Sequence, residues 1–214
     1  WGDLVPRFQY FIDSPCCHPI KLSNEEEAVG IGTSMFHEDT AWLACIIVHA
    51  NHRNKGLGNF LTQKLIDDID RSKYQTIYLD ATDFGYPVYK KLGFEVETNY
   101  IHLRKEGATA TSTISEKIIP YRAEFKEKLL RLDAQISGEK RGGILSDFLN
   151  SANIYVHENE VQGFYIPDWG DGPVIAKNDV AGLELMKLRC HEKEVAILPS
   201  TNPIALNFLK EQGY

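Results

Sequence analysis

The spacing of hydrophobic residues along the chain changes part-way through its first half. Residues 42–48, within the run 40–49, are apolar at successive positions, which predicts a central strand buried on both faces. An i, i+3, i+4, i+8 pattern follows at Leu57, Phe60, Leu61, Leu65, Ile66 and Ile69. That spacing is typical of an amphipathic helix. The pattern therefore predicts a buried strand that runs through a short loop directly into a helix.

The rest of the first half also mixes the two periods. Apolar residues have rough helical spacing over 1–13, and Pro15 and Pro19 indicate a turn after it. Further predicted elements are strands at 20–22, 28–36 and 76–81, a short helix at 86–92 that Gly93 stops, and strand-like residues over 94–103. This order predicts the α/β class.

A second half follows a linker-like stretch at 106–116, and we expect a domain at 1–105 and another at 115–214. Its predicted elements are helices at 121–133, 143–150, 179–190 and 203–212, strands at 153–157, 161–166 and 194–198, and an apolar stretch at 173–176. Val29-Gly30 is echoed by Val161-Gln162-Gly163, and Tyr89 to Phe94 by Leu209 to Tyr214. A divergent internal duplication is the simplest explanation.

Composition and charge narrow the classes of function. Apolar residues make up 43% and charged residues 25% of 214 residues, which is ordinary for a globular protein. The net charge of −7 disfavours nucleic acid as a partner and leans weakly towards cationic small molecules. The apolar run is far shorter than the roughly 20 residues of a membrane span. Four sparse cysteines favour a reducing cytoplasm over a disulfide framework.

The loop between the predicted central strand and its helix carries candidate chemistry. It contains Arg53-x-x-Gly56-x-Gly58, and Lys55 adds a second positive charge. Glycines allow close approach of a ligand to the backbone, and the free N–H groups of a helix N-terminus attract phosphates. The loop lacks the Gly-Lys-Ser/Thr of a Walker loop and the third glycine of a dinucleotide fingerprint. These features predict a pyrophosphate-binding loop.

Two motifs in this order resemble the GNAT superfamily of acetyl-CoA-dependent N-acetyltransferases. Arg53-x-x-Gly56-x-Gly58 resembles its acetyl-CoA motif, and Tyr89-x-x-x-Gly93-Phe94 resembles its Tyr-x-x-x-Gly-Phe. The wider string from Leu79 to Tyr89 resembles a tandem subgroup whose second half is degenerate. The resemblance implies two GNAT-like halves, each with a mixed, mostly antiparallel sheet flanked by helices. It also implies elements that precede Trp1, and we expect residues beyond Tyr214.

The resemblance also implies roles for individual residues. Ile47 and Val48 would offer backbone groups to the pantetheine arm and the thioester carbonyl of acetyl-CoA. Tyr89 would lie near the sulfur and donate a proton to the departing thiolate. The pyrophosphate would be held by Arg53, Asn54, Lys55, Gly56, Leu57, Gly58 and Asn59. A primary amine would attack the thioester directly in a ternary complex, and no metal is expected.

The sequence departs from the family pattern in several places. Thr82 stands where the family often has asparagine, and the strand at 40–49 lacks an acidic residue. Asp80, Asp83, Glu38 or a chain of waters remains open as the general base. The second half has Leu209 at the tyrosine position and no Arg-x-x-Gly-x-Gly, so we do not expect it to bind acetyl-CoA.

Alternative interpretations accompany these expectations. A non-catalytic acyl-CoA sensor or regulatory module is the alternative to the enzyme. We interpret Cys45 as an apolar filler of a buried strand, and His49 and His52 as residues of the loop rim. The acceptor, a small-molecule amine by preference, is not named by the sequence, and a homodimer is compatible with it.

Overall fold

The computed structural model describes residues 4–25, 27–106 and 113–214. The chain forms two compact units, Trp1–Glu95 and Val96–Tyr214. Each unit mixes helices with sheets that are mostly antiparallel, which confirms the predicted α/β class. Within the described ranges, no helix is long and apolar enough to cross a membrane. Part of the predicted linker, residues 107–112, lies outside the described residues.

The first unit contains three helices and four strands among its described residues. The helices are α1 (Val5–Asp13), α2 (Leu57–Asp67) and α3 (Tyr86–Lys91). The strands are β1 (Cys17–Asn24), β2 (Glu27–Phe36), β3 (Thr40–Val48) and β4 (Thr76–Leu79). Pro6 lies in the first turn of α1, where its missing N–H costs nothing, so the helix begins there instead of breaking.

These strands form one sheet in the order β1-β2-β3-β4. The first three strands are antiparallel, and β4 runs parallel to β3 after the crossover through α2. Helix α2 packs on β2 at two glycines: a Cβ at Gly30 would lie 2.6 Å from Leu61, and one at Gly32 would lie 2.9 Å from Leu65. The two glycines therefore allow the helix to lie close to the sheet.

One prediction for this sheet is wrong and another is only partly confirmed. β3 is not buried on both faces: Ala41 and Leu43 are buried under α2, whereas Trp42 is only half-buried. On that second face the Trp42 ring lies 5.3 Å from the ring of Tyr78. The predicted turn after α1 is confirmed at residues 15–16, but Pro19 already lies in β1, since an edge strand tolerates a residue without an N–H.

The second unit contains six strands and four helices among its described residues. The strands are β5 (Tyr100–Arg104), β6 (Ile118–Pro120), β7 (Asn153–His157), β8 (Glu160–Tyr165), β9 (Val174–Ala176) and β10 (Val195–Pro199). The helices are α4 (Lys126–Ser137), α5 (Gly142–Phe148), α6 (Asp179–Glu192) and α7 (Pro203–Glu211). Strands β6 to β9 form an antiparallel sheet, and β5 pairs with β10.

The core of the second unit lies on both faces of its four-stranded sheet. Leu129 of α4 and Leu145 of α5 pack with Phe164 of β8 in one fully buried cluster. Leu185 of α6 packs with Tyr165 in another cluster. The strand β6 was not predicted, because its three residues are too short for a period to be visible.

The echo between the halves has a structural counterpart. Gly163 of β8 faces Leu185 as Gly30 of β2 faces Leu61. A Cβ added to Gly163 would lie 2.8 Å from Leu185. Gly93 and Gly213 both have positive φ, at 89° and 86°, at equivalent positions after α3 and α7. The two units thus use the same local solutions for packing a helix on a strand and for ending a helix.

Candidate active site

The candidate site begins where β3 and β4 part. Their parallel pairing runs from Thr40 and Thr76 to Leu43 and Leu79, and β4 then ends. β3 continues to Val48, so within the described chain its edge from Ala44 onwards has no strand partner on that side. The opening exposes a row of backbone N–H and C=O groups, which is the kind of edge that an extended, amide-containing ligand can pair with.

A β-bulge lies on β3 at the start of this opening. Ile31 pairs with Ile47 but Thr33 pairs with Ala44, so β3 has one more residue here than β2. Cys45 in the bulge has a φ of 51°, in the left-handed region. A bulge bends the strand and redirects its backbone groups. Cys45 is half-buried, which differs from the expected filler of a fully buried strand.

The predicted phosphate loop connects β3 to α2. The Arg53 Nε donates a hydrogen bond to the Val48 carbonyl oxygen at 3.2 Å, which ties the loop to the end of the strand. Asn54 and Gly56 both have positive φ, at 61° and 80°, so the backbone turns sharply twice before α2 begins at Leu57. The side chains from Arg53 to Lys55 are exposed and accessible to a ligand.

The N-terminus of α2 fits an anionic group. Gly56 stands at the N-cap position, and no side chain in the described part of the chain caps the helix. A Cβ at Gly56 would meet no described atom within 4 Å, so the space before the helix is open to that extent. Gly58 lies over the end of β3, since a Cβ added to it would stand 4.0 Å from Val48 Cγ2. Asn59 is exposed. The first N–H groups of α2 and two cationic side chains thus fit a pyrophosphate.

Tyr89 lies on α3 and is held from two sides. Its ring packs against Gly85, and its centroid lies 6.2 Å from that of Phe94. Thr82, the departure from the family pattern, accepts a hydrogen bond from Gly85 N through both its carbonyl, at 2.9 Å, and its hydroxyl, at 3.3 Å. Burial raises the pKa of Tyr89 above its ordinary 10.0, which keeps the phenol protonated.

Comparison with known proteins relates the first part of the chain to a family. Residues 2–94 match the model of the acetyltransferase (GNAT) family. Proteins of this family transfer acyl groups from acetyl-CoA. No curated protein matches the sequence.

Solved structures extend the likeness in fold beyond the GNAT match. A provisionally assigned acetyltransferase from Pyrococcus horikoshii is 22% identical, with a TM-score of 0.78, over 95% of this chain and 71% of its own. An Arabidopsis thaliana glucosamine-6-phosphate N-acetyltransferase is 16% identical, with a TM-score of 0.40, over 46% of this chain and 78% of its own. The first likeness shows that the two chains share a fold.

The three candidate general bases, Asp80, Asp83 and Glu38, occupy different places in the first unit. Asp80 directly follows Leu79, the last paired residue of β4, so it lies where the strands part. Asp83 is exposed in the loop before α3. Glu38 lies in the turn between β2 and β3, at the opposite end of β3 from Val48. Position along the strands therefore favours Asp80 over Glu38.

The second unit differs from the phosphate loop of the first unit at the corresponding helix start. α6 follows β9 as α2 follows β3, but Asn178 caps it: its side-chain oxygen accepts a hydrogen bond from Ala181 N at 3.0 Å. Asp179 adds a negative charge in the first turn. An occupied N–H and an acidic side chain both disfavour a phosphate at this helix.

Two features of the candidate site were not visible in the sequence. The bulge at Cys45 carries no glycine or asparagine, which are the residues that usually signal a left-handed backbone. The contact of Gly85 with Tyr89 depends on the backbone path between them. A glycine four residues before an aromatic residue on a short helix was the only available signal.

Proposed function

We propose that the first unit transfers an acetyl group from acetyl-CoA to a primary amine by direct attack within a ternary complex. The observation that carries this proposal is that a strand edge and a helix N-terminus follow each other directly along the chain. Among the described residues, the edge of β3 from Ala44 to Val48 has no strand partner on the β4 side and the N-terminus of α2 has no side-chain cap. This edge runs directly into the loop and the start of α2. An amide-rich arm and a pyrophosphate follow each other in the same order in acetyl-CoA.

The binding roles follow from this order. The backbone of Ile47 and Val48 pairs with the pantetheine arm along the open edge. Gly56, Leu57, Gly58 and Asn59 direct N–H groups of the helix start towards the pyrophosphate. Arg53, Asn54 and Lys55 surround the same group, and the two cationic side chains balance its charge.

The chemistry requires a donor at the carbonyl oxygen, a base and an acid. Acetyl-CoA supplies the activated acyl group as a thioester. In this proposal a backbone N–H of β3 near the bulge stabilises the negative charge that develops on the carbonyl oxygen. Asp80, directly or through water, takes the proton of the attacking amine. Tyr89, which burial keeps protonated, gives a proton to the departing thiolate.

Two observations support a cationic small molecule as the acceptor. The chain carries a net charge of −7. The half-buried rings of Trp42 and Tyr78 lie beside the point where β3 and β4 part, and aromatic faces attract alkylammonium groups. We propose further that the second unit is a degenerate copy that does not bind acetyl-CoA, since its corresponding helix is capped by Asn178.

The experiment that tests the proposed reaction is a thiol-release screen. The protein is mixed with acetyl-CoA and a panel of amines, and free CoA is measured with a thiol reagent. We expect amine-dependent release, and we expect D80N to lower kcat by about 10²-fold or more because a general base contributes that much. E38Q is the matched control and should leave kcat unchanged.

Two outcomes would contradict this account. If acetyl-CoA binds but no amine accelerates release, the sensor interpretation replaces the enzyme. If E38Q lowers kcat while D80N does not, the base lies at the other end of β3.

A further inference from the structure

Two histidines and a glutamate converge beside the phosphate loop. His52 Nε2 lies 3.7 Å from a carboxylate oxygen of Glu27. The rings of His49 and His52 lie 5.8 Å apart between centroids. One potential ligand atom from each of the three residues lies within 4.8 Å of both others. His49 and Glu27 are exposed, so solvent ions reach the group freely.

The backbone explains why these side chains meet. A 3₁₀ turn spans Ala50–His52 with His49 at its N-cap, and residues three apart stack above one another in such a turn. His49 N donates to the Val29 carbonyl at 2.9 Å, which anchors the turn to β2. The antiparallel pairing of Gly30 with Val48 then brings Glu27, at the start of β2, opposite the turn.

We propose that Glu27, His49 and His52 form a binding site for a divalent transition-metal ion of the zinc, nickel or copper class. Imidazole nitrogens with one carboxylate oxygen are a ligand set that these ions favour. A tetrahedral ion with bonds of about 2.0–2.1 Å needs ligand atoms roughly 3.4 Å apart. The distance between His52 and Glu27 is already close to that value, and small rotations of exposed side chains close the rest.

The site has a structural consequence for its neighbourhood. His52 directly precedes Arg53, which is tied to Val48, so an ion held here fixes the start of the phosphate loop to β2. Three protein ligands leave a fourth position for water. Metal binding at this site requires neither acetyl-CoA nor acyl transfer, so the inference stands independently of the proposed function.

The test is a calorimetric titration of Zn²⁺ into the untagged, metal-free full chain in a buffer that does not chelate. We expect one equivalent per chain in the wild type. H49A, H52A and E27Q should each weaken the affinity for Zn²⁺ at least about tenfold. Even the loss of a residue that only hydrogen-bonds to a metal ligand costs that much. H157A is the matched control, because His157 lies 3.8 Å from Glu158 but belongs to no group of three potential metal ligands among the described residues.

Two further readouts separate the site from loss of folding and from cysteine ligation. Zn²⁺ should raise the unfolding temperature of the wild type and of H157A but not that of H49A, whose exposed side chain is not needed for packing. Co²⁺ should give visible d–d bands without a thiolate charge-transfer band. Equal affinity in the wild type and H52A, equal loss in H157A, a thiolate band or no binding by the wild type would each overturn the proposal.

Discussion

The ring of Tyr89 lies against the backbone of Gly85. A Cβ atom at position 85 would stand 2.7 Å from Cε2 of that ring and 3.2 Å from the phenolic oxygen. Gly85 itself has ordinary helical torsions, with φ of −80° and ψ of −33°. The glycine is therefore needed for the position of the tyrosine and not for the path of its own backbone.

Substitution of Gly85 by alanine tests whether that position matters. The added methyl group must displace the Tyr89 ring, and a displacement of about 1 Å in a catalytic group costs on the order of 10²-fold in rate. We expect G85A to lower kcat by roughly that factor and to leave the affinity for acetyl-CoA unchanged. G182A is the control, since its added Cβ meets Ala176 Cβ at an ordinary 3.5 Å. An unchanged kcat in G85A would show that the ring position is irrelevant.

Removal of the Tyr89 hydroxyl tests its role as an acid. We expect Y89F to lower kcat by about 10²-fold or more while the substrates still bind. The raised pKa sets the pH dependence, because the midpoint of the Tyr89 titration lies above the ordinary 10.0. The wild-type rate should therefore show no alkaline decline caused by this group with a midpoint below pH 10. A decline with a midpoint below pH 10 that disappears in Y89F would contradict the assignment.

Arg71 is a matched control for Arg53, because it makes a similar hydrogen bond in another part of the chain. Arg53 Nε donates to the Val48 carbonyl at 3.2 Å, and Arg71 Nη2 donates to the Gln75 carbonyl at 2.8 Å. Both side chains are exposed, but only Arg53 lies in the phosphate loop. We expect R53A to weaken acetyl-CoA binding about tenfold, because a charge-assisted hydrogen bond is worth about 1.5 kcal/mol or more. R71A should leave the dissociation constant unchanged, and equal effects would remove Arg53 from the site.

Tyr165 makes the stability of the second unit sensitive to alkaline pH. Its side chain is fully buried and donates a hydrogen bond to the Glu192 carboxylate at 2.9 Å. Burial first, and then this carboxylate, raise the pKa of Tyr165 above the ordinary 10.0. Above pH 10 the unfolded state releases a proton that the folded state retains, so the free energy of unfolding falls as pH rises.

Denaturant unfolding between pH 8 and pH 11 checks this sign. The wild type should lose stability above pH 10 more steeply than Y165F, which cannot ionise at this position. Parallel curves for the two proteins would show that Tyr165 ionises equally in both states.

The spacing of apolar residues in the sequence predicted the helices and strands that bury one face. The apolar run before Arg53 and the helical spacing after Gly58 located β3 and α2, because burial imposes a period on each element. The motif that resembles the GNAT family fell between them. The glycine of β2 that faces α2 and its echo at Gly163 were also visible in the sequence.

Other features depend on contacts that no local pattern records. β5 pairs with β10, whose residues lie about ninety positions later in the chain, as Leu103 opposite Ala196 shows. Cys45 adopts a left-handed backbone because the pairing of β2 with β3 demands an extra residue there. Glu27 reaches His52 through that same pairing, so the sequence alone places the two histidines at the rim of the loop and does not indicate their contact with Glu27.

The measurement that tests the central claim most directly is a calorimetric titration of acetyl-CoA into the wild type, G56E and G138E. Gly56 and Gly138 both have positive φ, at 80° and 73°, and open space around an added Cβ, so both variants carry the same backbone strain. Only G56E places a carboxylate at the N-terminus of α2. The account predicts tight binding by the wild type and G138E and its loss in G56E. Binding by G56E as strong as that of G138E, or no binding by the wild type, would contradict it.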